Sequence, residues 1–411
     1  MAANAEEGRV RVLFLAGACP YPPNSGGTVR TYNLLKQLCH RHEITLIAPS
    51  NARVDLGDAF GRKLRRVVAV TDPRGGVRHA MASLLSSLPY IVKAHENAAM
   101  AESVRSALAG DHFDILHCDS ISAAEAIPKG VSLPKVFNAH NVEAVIWERY
   151  VSEERRPWVL PVLQSQLAKV RAYEARLPGM FDGCVTVSEE DRAQMRRRYG
   201  FENVGVVING VDLDFYESQP DPNSPTLAFI GSLDWRPNQD GVRWLLGSIW
   251  PAIGSEVPEA RLSLVGRRPP QWMSRLCDHS GVSLYADVPD IRPHLADAAI
   301  IVVPLRIGGG SRLKILEAMA AGRCVVSTTI GAEGLDVRDG EHLVIADEPA
   351  AFAREVVSLL RDRDRRVEIA RAGRALVESE YGWEQAAWQM ESAWTAAQRG
   401  ITDDTHTATR V

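Results

Sequence analysis

Three glycines and two cations form the stretch of this chain with the most evident chemistry. The stretch follows the apolar run Ala299–Val303 and leads into a helical pattern that begins near Ser311. Its residues are Gly308, Gly309, Gly310, Ser311, Arg312, Leu313 and Lys314. Glycines let a ligand approach the backbone closely, and the first turn of the helix offers N–H groups and the positive end of its dipole. The pattern predicts a site for an anion such as a diphosphate, with Arg312 and Lys314 supplying positive charge.

Glu317 lies three residues beyond Lys314 in the predicted helix. At about 100° per residue, Ile315, Leu316 and Met319 share the face that should pack on a sheet, and Glu317 points the other way. A solvated Glu317 paired with Lys314 is the interpretation that the angle favours. The alternative is a carboxylate that accepts hydrogen bonds from ligand hydroxyls.

Two further positions lie where predicted strands end. His140 follows the apolar segment Lys135–Ala139, and the carboxyl end of a parallel strand is where open α/β sheets bind ligands. A lone histidine is as often structural. Gly26 and Gly27 lie in the loop after the first predicted strand, where they would let a ligand approach the backbone. The alternative is an ordinary loop, in which glycines are also common.

The triplet Asp212-Leu-Asp214 has the D-x-D form that holds a divalent metal with a nucleotide diphosphate in some proteins. It follows an Asn-Gly pair, and turns collect Asp because its side chain bonds to nearby backbone. The turn interpretation is favoured, and no metal ligand is predicted.

The order of elements around the glycine stretch is strand, loop, helix, strand, and the same order opens the chain from Arg9. Apolar strands joined by helices indicate a parallel sheet covered on both faces. The predicted fold class is therefore α/β, with two Rossmann-like domains that face each other across a cleft. A chain of 411 residues is long enough for two such cores.

The segment 217–225, ESQPDPNSP, is the predicted linker, because it is rich in Pro, Asp, Asn and Ser. It separates an N-terminal domain, residues 1–216, from a C-terminal domain, residues 226–381. Residues 382–400 are predicted as a final helix, and residues 401–411 as a tail.

Composition excludes several classes of function. A formal net charge of −4 argues against nucleic acid as a partner. Six cysteines without a C-x-x-C pair suit reduced thiols, and the chain shows neither a signal peptide at its start nor an apolar run long enough to cross a membrane. These features predict a cytoplasmic protein.

A basic segment, Arg62–Arg66, is followed by Arg74, Arg78 and an apolar stretch at 80–92. Such a patch in the N-terminal domain would allow peripheral contact with the inner face of a membrane or with a lipid-linked acceptor. A solvated face beside a core helix is the favoured interpretation.

The ordered string Gly310–Leu335, GSRLKILEAMAAGRCVVSTTIGAEGL, resembles the nucleotide-sugar site of family-four retaining glycosyltransferases with GT-B architecture. The resemblance spans nearly the whole chain and is weakest over 53–110. It implies transfer of a hexosyl group from a nucleotide-diphosphate sugar to a glycan, lipid-linked or small-molecule acceptor. It also implies retention at the anomeric carbon by front-face displacement, with no required metal or cofactor.

The resemblance also assigns roles to residues. It implies that the Gly308–Ser311 loop binds the diphosphate, that Glu317 binds the ribose hydroxyls, and that the backbone at Val288 reads the base. It places His140, in the setting H-N-x-E, beside the donor sugar as the catalytic candidate, with Gly26 and Gly27 completing the donor site. Glu143 matches the same setting without a clear role. The last helix is expected to return to the N-terminal domain.

Two positions depart from the family pattern. Many members carry a Glu eight residues before the one at Glu317, where this chain has Gly309. Many also carry an Arg and a Lys on the loop after the first strand of the second domain, and here Arg236 is the only cation of the loop Gly231–Asn238. Because this D-W-x-P-N loop accompanies the G-G-G-S-R-L-K form, we hypothesise that Arg312 and Lys314 have replaced that charge.

Two alternatives stay open on the sequence alone. One is a nucleotide-sugar epimerase or hydrolase of the same fold. The other is a nucleotide-sugar-binding protein without catalysis, suggested by the missing carboxylate at Gly309. The sequence does not assign the donor base, the sugar or the acceptor.

Overall fold

The structure is a computed structural model that describes residues 9–50, 56–71, 82–276 and 281–408. These residues form two compact units. The first comprises the described parts of Met1–Ile208 and Trp383–Val411, and the second comprises Asn209–Gly382. Each unit is built on one parallel sheet with helices between the strands, which confirms the predicted α/β class and the two Rossmann-like domains.

The first unit contains a seven-stranded sheet. Its strands are β1 Arg11–Leu15, β2 Glu43–Pro49, β3 Arg66–Val70, β4 Ile115–Cys118, β5 Lys135–Ala139, β6 Gly183–Thr186 and β7 Val204–Val206. They pair in parallel in the order β3-β2-β1-β4-β5-β6-β7. The strand order reverses between β1 and β4, so the loops that follow these two strands diverge at one edge and leave a crevice where such folds bind ligands.

The α-helices of the first unit alternate with these strands. They include Gly26–Leu38, Leu56–Ala59, Tyr90–Lys93, Ala98–Gly110, Glu143–Glu153, Leu160–Glu174, Glu189–Tyr199 and Trp383–Ala408, with 3₁₀ turns at Ile121–Ala126 and Leu177–Gly179. The apolar residues of β1, β4 and β5 are fully or almost fully buried between them, as strands covered on both faces must be.

The final helix, Trp383–Ala408, belongs to the first unit. Trp394, which is 1% exposed, donates a 3.2 Å hydrogen bond from its indole nitrogen to His117 Nδ1 on β4. Trp383, Ala387 and Met390 are buried on the same helical face. The helix extends to Ala408, into the segment 401–411 that the sequence predicts as a tail.

The second unit contains a six-stranded parallel sheet. Its strands are β8 Thr226–Ile230, β9 Arg261–Gly266, β10 Val282–Ala286, β11 Ile300–Val303, β12 Cys324–Ser327 and β13 Val344–Ile345, in the order β10-β9-β8-β11-β12-β13. The α-helices are Arg236–Trp244, Trp250–Glu256, Gln271–Leu276, Arg292–Asp297, Leu313–Ala320, Thr329–Ala332, Pro349–Arg361 and Arg363–Glu380, with a π-helical turn at Leu245–Ile249. The strand order reverses between β8 and β11.

Residues 209–225 are fixed to the second unit. The amide of Val211 donates to the carbonyl of Tyr381 at 2.9 Å. Asp221, within the predicted linker, accepts a 2.8 Å bond from the buried guanidinium of Arg366. The buried Arg323 donates to the carbonyl of Pro220 at 2.8 Å. The boundary between the two units therefore falls after Ile208 and not at 216, because these contacts join residues 209–225 to the second unit.

The basic segment Arg62–Arg66 leads into the edge strand β3, which the sequence did not predict. Arg65 forms ion pairs with Glu43 at 3.3 Å and with Asp111 at 3.0 Å. Arg74 and Arg78 lie outside the described residues. Among the residues that are described, no helix combines the length and the apolar character that crossing a bilayer requires.

Candidate functional site

The loop between β11 and the helix Leu313–Ala320 is organised by Arg312. This residue precedes the first helical position, and its side chain is only 5% exposed. Its guanidinium donates to the carbonyl of Gly310 at 2.7 Å, to that of Gly309, and to that of Ile330 at 3.4 Å. Arg312 was predicted to face a ligand, but the structure places its charge inside the loop, where backbone carbonyls accept its hydrogen bonds.

Glycine is required at Gly308 and at Gly310 for two different structural reasons. A Cβ on Gly308 would lie 2.8 Å from Arg312 Cζ, so the guanidinium needs a residue without a side chain there. Gly310 has a φ of 67°, a left-handed conformation that glycine adopts without strain. The hydroxyl of Ser311, the next residue, accepts a 2.8 Å hydrogen bond from Asn209 Nδ2. The loop is thus a fixed turn.

Lys314 lies in the first turn of the helix and extends toward the carboxyl end of β8. Its Nζ donates a 2.8 Å hydrogen bond to Asn238 Oδ1 and lies 4.4 Å from the centroid of the Phe229 ring. A Cβ on Gly231 would come 2.7 Å from the same nitrogen. The cation therefore occupies a niche at the end of β8, on the loop that carries the D-W-x-P-N motif.

The surroundings of Lys314 change its acidity. Burial and the neighbouring positive charge of Arg312 together lower the pKa of its amino group to about 7, while the charge of Glu317 opposes the shift. Amine and ammonium forms are therefore both populated near neutral pH. A bound anion would favour the ammonium form, because an opposite charge nearby raises the pKa of an amine.

Arg236, the other cation predicted for the donor site, opens the helix Arg236–Trp244 on the same loop and is half-buried. Asn238 follows two residues later and is 2% exposed. Its Nδ2 donates to the carbonyl of Ser232 at 2.8 Å. This loop and the glycine loop meet through the hydrogen bond between Asn238 and Lys314.

Glu317 is half-buried and accepts a hydrogen bond from the hydroxyl of Tyr216. Burial raises the pKa of the Glu317 carboxyl, and the bond from Tyr216 and the charge of Lys314 reduce that shift. Glu317 is therefore only partly exposed to solvent, less than the interpretation that the helical angle favours. Tyr216, its neighbour, lines a pocket.

The pocket has a volume of about 330 Å³ and lies within the second unit. Its lining includes Phe215, Tyr216, Asp290, Arg292, Leu295 and Ala321. The Arg292 guanidinium lies 4.2 Å from the centroid of the Phe215 ring and donates to Asp290 at 2.7 Å. Val288, the predicted base contact, is half-buried two residues before Asp290 and just beyond β10. Aromatic and polar groups of this kind suit a planar heterocycle.

In the first unit, His140 follows β5 and is held by Asp119, the residue after β4. His140 Nε2 donates to the backbone carbonyl of Asp119 at 2.6 Å and lies 3.5 Å from its Oδ2. The Asp119 carboxylate, 2% exposed, accepts hydrogen bonds from the hydroxyl of Thr31 and from Asn138 Nδ2 at 2.7 Å. Sequence reasoning missed Asp119, although its position directly after a buried strand was a usable signal.

The charge of Asp119 is balanced by basic groups. Burial alone would raise the pKa of its carboxyl, but His140 and His117 hold that pKa well below the ordinary range of aspartate. Arg30 is 1% exposed. Burial lowers the pKa of its guanidinium to about 10, although the negative charge of Asp119 acts to raise it. The Asp119 carboxylate beside His140 is therefore ionised, and both of its oxygens accept hydrogen bonds.

Gly26 and Gly27 begin the helix Gly26–Leu38, whose amino end is capped by Ser25. A Cβ on Gly27 would meet no atom of the described residues within 4 Å, so packing among those residues does not require glycine there. Thr31, one turn later, joins this helix to Asp119. The structure thus brings Gly27 and His140 to the same edge of the sheet, and their role toward a donor stays a prediction.

Glu143 opens the helix Glu143–Glu153 beside Glu174. Glu174 accepts the backbone N–H of Glu143 at 2.7 Å and the hydroxyl of Tyr199 at 2.6 Å. Burial and the nearby Glu174 raise the pKa of Glu143 to about 7. Glu174 therefore caps this helix.

Asp212 forms a turn, since its Oδ1 accepts the N–H of Phe215 at 3.0 Å. Within the described ranges, no cluster of three or more His, Cys, Asp or Glu side chains is arranged for a metal ion.

Comparison with known proteins supplies the family. A family model described as Glycosyltransferase Family 4 matches residues 24–215, and one described as Glycosyl transferases group 1 matches residues 224–362. The two matches are adjacent and correspond closely to the two parallel-sheet units.

Relatives match along nearly their full length. An uncharacterized 44.6 kDa protein in the cps region of Klebsiella pneumoniae is 23% identical over 386 residues, 90% of this chain and 96% of that protein. The phosphatidyl-myo-inositol mannosyltransferase of Mycobacterium tuberculosis is 26% identical over 390 residues, 90% of this chain and 94% of that protein.

Solved structures share the fold. HepE of Anabaena, in complex with UDP and glucose, has a TM-score of 0.66 at 16% identity, covering 94% of this chain and 100% of HepE. Sucrose-phosphate synthase of Thermosynechococcus elongatus has a TM-score of 0.72 at 15% identity, covering 94% of this chain and 98% of that one. With both sheets matched by glycosyltransferase family models, the chain belongs to the family-four type of glycosyltransferases and has the GT-B fold.

Proposed function

We propose that this glycosyltransferase moves a hexosyl group from a nucleotide-diphosphate sugar to a glycan, lipid-linked or small-molecule acceptor, with retention at the anomeric carbon. The observation that carries the donor class is the placement of Lys314. Lys314 is the second residue of the helix Leu313–Ala320, and Asn238 holds its amino group at the carboxyl end of β8, so that this cation adds to the dipole of the helix in attracting an anion.

The groups in the second unit divide between the parts of such a donor. The diphosphate binds at the Gly308–Ser311 loop with Lys314, and the ribose hydroxyls bind Glu317. The nucleobase lies toward Val288 and the adjoining pocket. Stabilising charge on the leaving diphosphate accelerates the transfer, because that charge develops in the transition state.

In the proposed transfer, the bond between the anomeric carbon and the leaving phosphate oxygen breaks, and a bond to the acceptor oxygen forms on the same face. The proton of the acceptor hydroxyl passes to the leaving phosphate. No side chain serves as a nucleophile, and no metal or cofactor is required. The resemblance adds His140, Gly26 and Gly27 as residues on the sugar side.

Two similar proteins support the donor class. One is named a mannosyltransferase, and the solved structures of Anabaena HepE hold UDP with glucose and UDP-glucose. Both names fit hexosyl transfer from a nucleotide sugar, and they leave the base and the acceptor of this chain to experiment.

A thermal-shift panel of UDP, GDP, ADP and TDP with their common sugars tests the proposal. Binding to the folded state raises its stability by about 2.7 kcal/mol at 100 times Kd, so the correct base should stand out. The donor selected in this way should release nucleoside diphosphate when acceptors are added, also in the presence of EDTA. Absence of any shift would contradict the proposal.

The same assay separates the alternatives. A hydrolase or epimerase would consume the donor without an acceptor. A binding protein without catalysis would show the shift and release no nucleoside diphosphate with any acceptor.

Peripheral contact of the first unit with a cytoplasmic membrane face is a further part of the proposal. Leu84 and Leu85 are 50% and 95% exposed beside Lys169, which donates to the carbonyl of Leu84 at 3.1 Å. Co-sedimentation with phosphatidylglycerol vesicles that is lost in Leu85→Ser would support the contact, and equal recovery of both proteins would contradict it.

A further inference from the structure

Asn238 connects the loop after β8 with the helix of the glycine loop. The amide is almost fully buried and makes two bonds: Nδ2 donates to the carbonyl of Ser232, and Oδ1 accepts from Lys314 Nζ, both at 2.8 Å. The carbonyl of Ser232 can only accept, so it must face Nδ2, and this contact alone fixes which way the amide points. Asn238 therefore presents an oxygen to Lys314.

The groups that contact the Lys314 amino group are neutral. The ring of Phe229 lies under the amino group, and Gly231 leaves the space that the nitrogen occupies. In the described part of the chain, the Lys314 nitrogen forms no ion pair with a carboxylate. The niche thus holds the lysine in place without neutralising it.

We propose that Asn238 is a positioning residue that holds the Lys314 amino group at the carboxyl end of β8, where the amine takes up a proton from solvent as the donor diphosphate binds. This inference rests on the proposed function and specifies how the diphosphate acquires its cation. It also gives the D-W-x-P-N loop and the R-L-K sequence one shared purpose, since the last residue of each motif forms the contact.

Electrostatics supports the proton uptake. Burial and the charge of Arg312 lower the pKa of Lys314 to about 7, and Glu317 is the acidic group that acts against them. The other neighbours, Phe229 and Asn238, do not titrate. A bound diphosphate adds negative charge, so the pKa of Lys314 rises and a proton is taken up above pH 7.

Calorimetry of UDP, GDP and ADP binding at pH 8.5 in two buffers of different ionisation enthalpy measures this uptake. The second phosphate pKa is about 6, so the nucleotide is already deprotonated and the protein must accept the proton. We expect the wild type to take up close to one proton with the nucleotide that binds. Lys314→Met should take up none and bind about 10- to 100-fold more weakly.

Variants of Asn238 separate positioning from a purely structural role. Asn238→Asp should keep Lys314 charged before binding, so the uptake disappears although the lysine is present. Asn238→Ala should weaken binding about tenfold in the wild type and hardly at all in a Lys314→Met background. Gln239→Ala is the matched control, because Gln239 bonds the nearby carbonyl of Leu233 at 3.0 Å and should leave the uptake unchanged.

The outcomes distinguish the two levels of the proposal. If a nucleotide binds but no proton uptake that depends on Lys314 is measured, this inference is overturned and the proposed function still stands. An equal cost of Asn238→Ala in both backgrounds would do the same. No binding of any nucleoside diphosphate to the wild type would overturn both.

Discussion

The guanidinium of Arg312 occupies the space into which a Cβ on Gly308 would project, with 2.8 Å between that Cβ and Arg312 Cζ. Real Cβ atoms essentially never come this close to another atom, so either the guanidinium or the loop would have to move. The first glycine of the loop is thus explained by the inward arginine.

The Gly308→Ala variant is expected to lose roughly 1–3 kcal/mol of unfolding free energy and to bind nucleoside diphosphate more weakly, because overpacking displaces Arg312 and with it the loop. Urea unfolding and calorimetry measure the two effects. Gly254→Ala is the control, since a Cβ there meets nothing within 4 Å and lies in a helix, where alanine should not destabilise. Normal stability and affinity in Gly308→Ala would show that Arg312 does not shape the loop.

Substitutions of Arg312 and of Lys314 are expected to have different effects on the free energy of unfolding. Arg312→Met should lose about 2–4 kcal/mol, because the carbonyls of Gly309 and Gly310 lose a buried charged donor. Lys314→Met should unfold at a similar or higher urea concentration while binding nucleotide poorly. Should Arg312→Met keep its stability and lose only affinity, Arg312 would be a ligand contact as the sequence predicted.

Glu317 is expected to recognise ribose. The wild type should prefer the correct nucleoside diphosphate over its 2′-deoxy form by about tenfold, because a bond to an ionised group contributes about 1.5–3 kcal/mol. Glu317→Gln should lose most of that preference, and Tyr216→Phe, which removes the bond to Glu317, should keep it. A preference that survives in Glu317→Gln would remove Glu317 from the ribose site.

The free energy of unfolding of the Asp119→Asn variant is expected to depend less on pH in the acidic range than that of the wild type. The pKa of Asp119 lies below its unfolded value, so its contribution is complete above about pH 4 and is lost as the pH falls further. Asp119→Asn should therefore be destabilised by about 3–5 kcal/mol at pH 7, and the deficit should shrink below pH 4. A deficit that stays constant from pH 7 to pH 3 would show that the carboxylate charge is not what stabilises the cluster.

The central strands were predictable because they are apolar on both faces, whereas the partly exposed edge strand β3 was not predicted. The predicted segments Lys135–Ala139 and Cys324–Ser327 have the bounds that the structure shows for β5 and β12. The helix after the glycine loop begins at Leu313 and not near Ser311, since Gly310 is left-handed and Arg312 is turned inward before the first helical turn. Those two features depend on tertiary contacts.

The partners of the site residues were not predictable from local patterns. Helical angles place Glu317 away from the sheet, but they do not reveal that Tyr216, from the segment before the predicted linker, reaches it. Asn238 and Lys314 are 76 residues apart, and only the fold brings β8 beside the helix after β11. The same holds for Asp119 and His140, which follow neighbouring strands.

A crystal structure with the nucleoside diphosphate that stabilises the protein most would test the central claim directly. We predict that a phosphate oxygen lies within about 3 Å of Lys314 Nζ at the amino end of the helix Leu313–Ala320, with Arg312 still bonded to the carbonyl of Gly310. A diphosphate bound elsewhere, with Lys314 still bonded only to Asn238, would contradict the account.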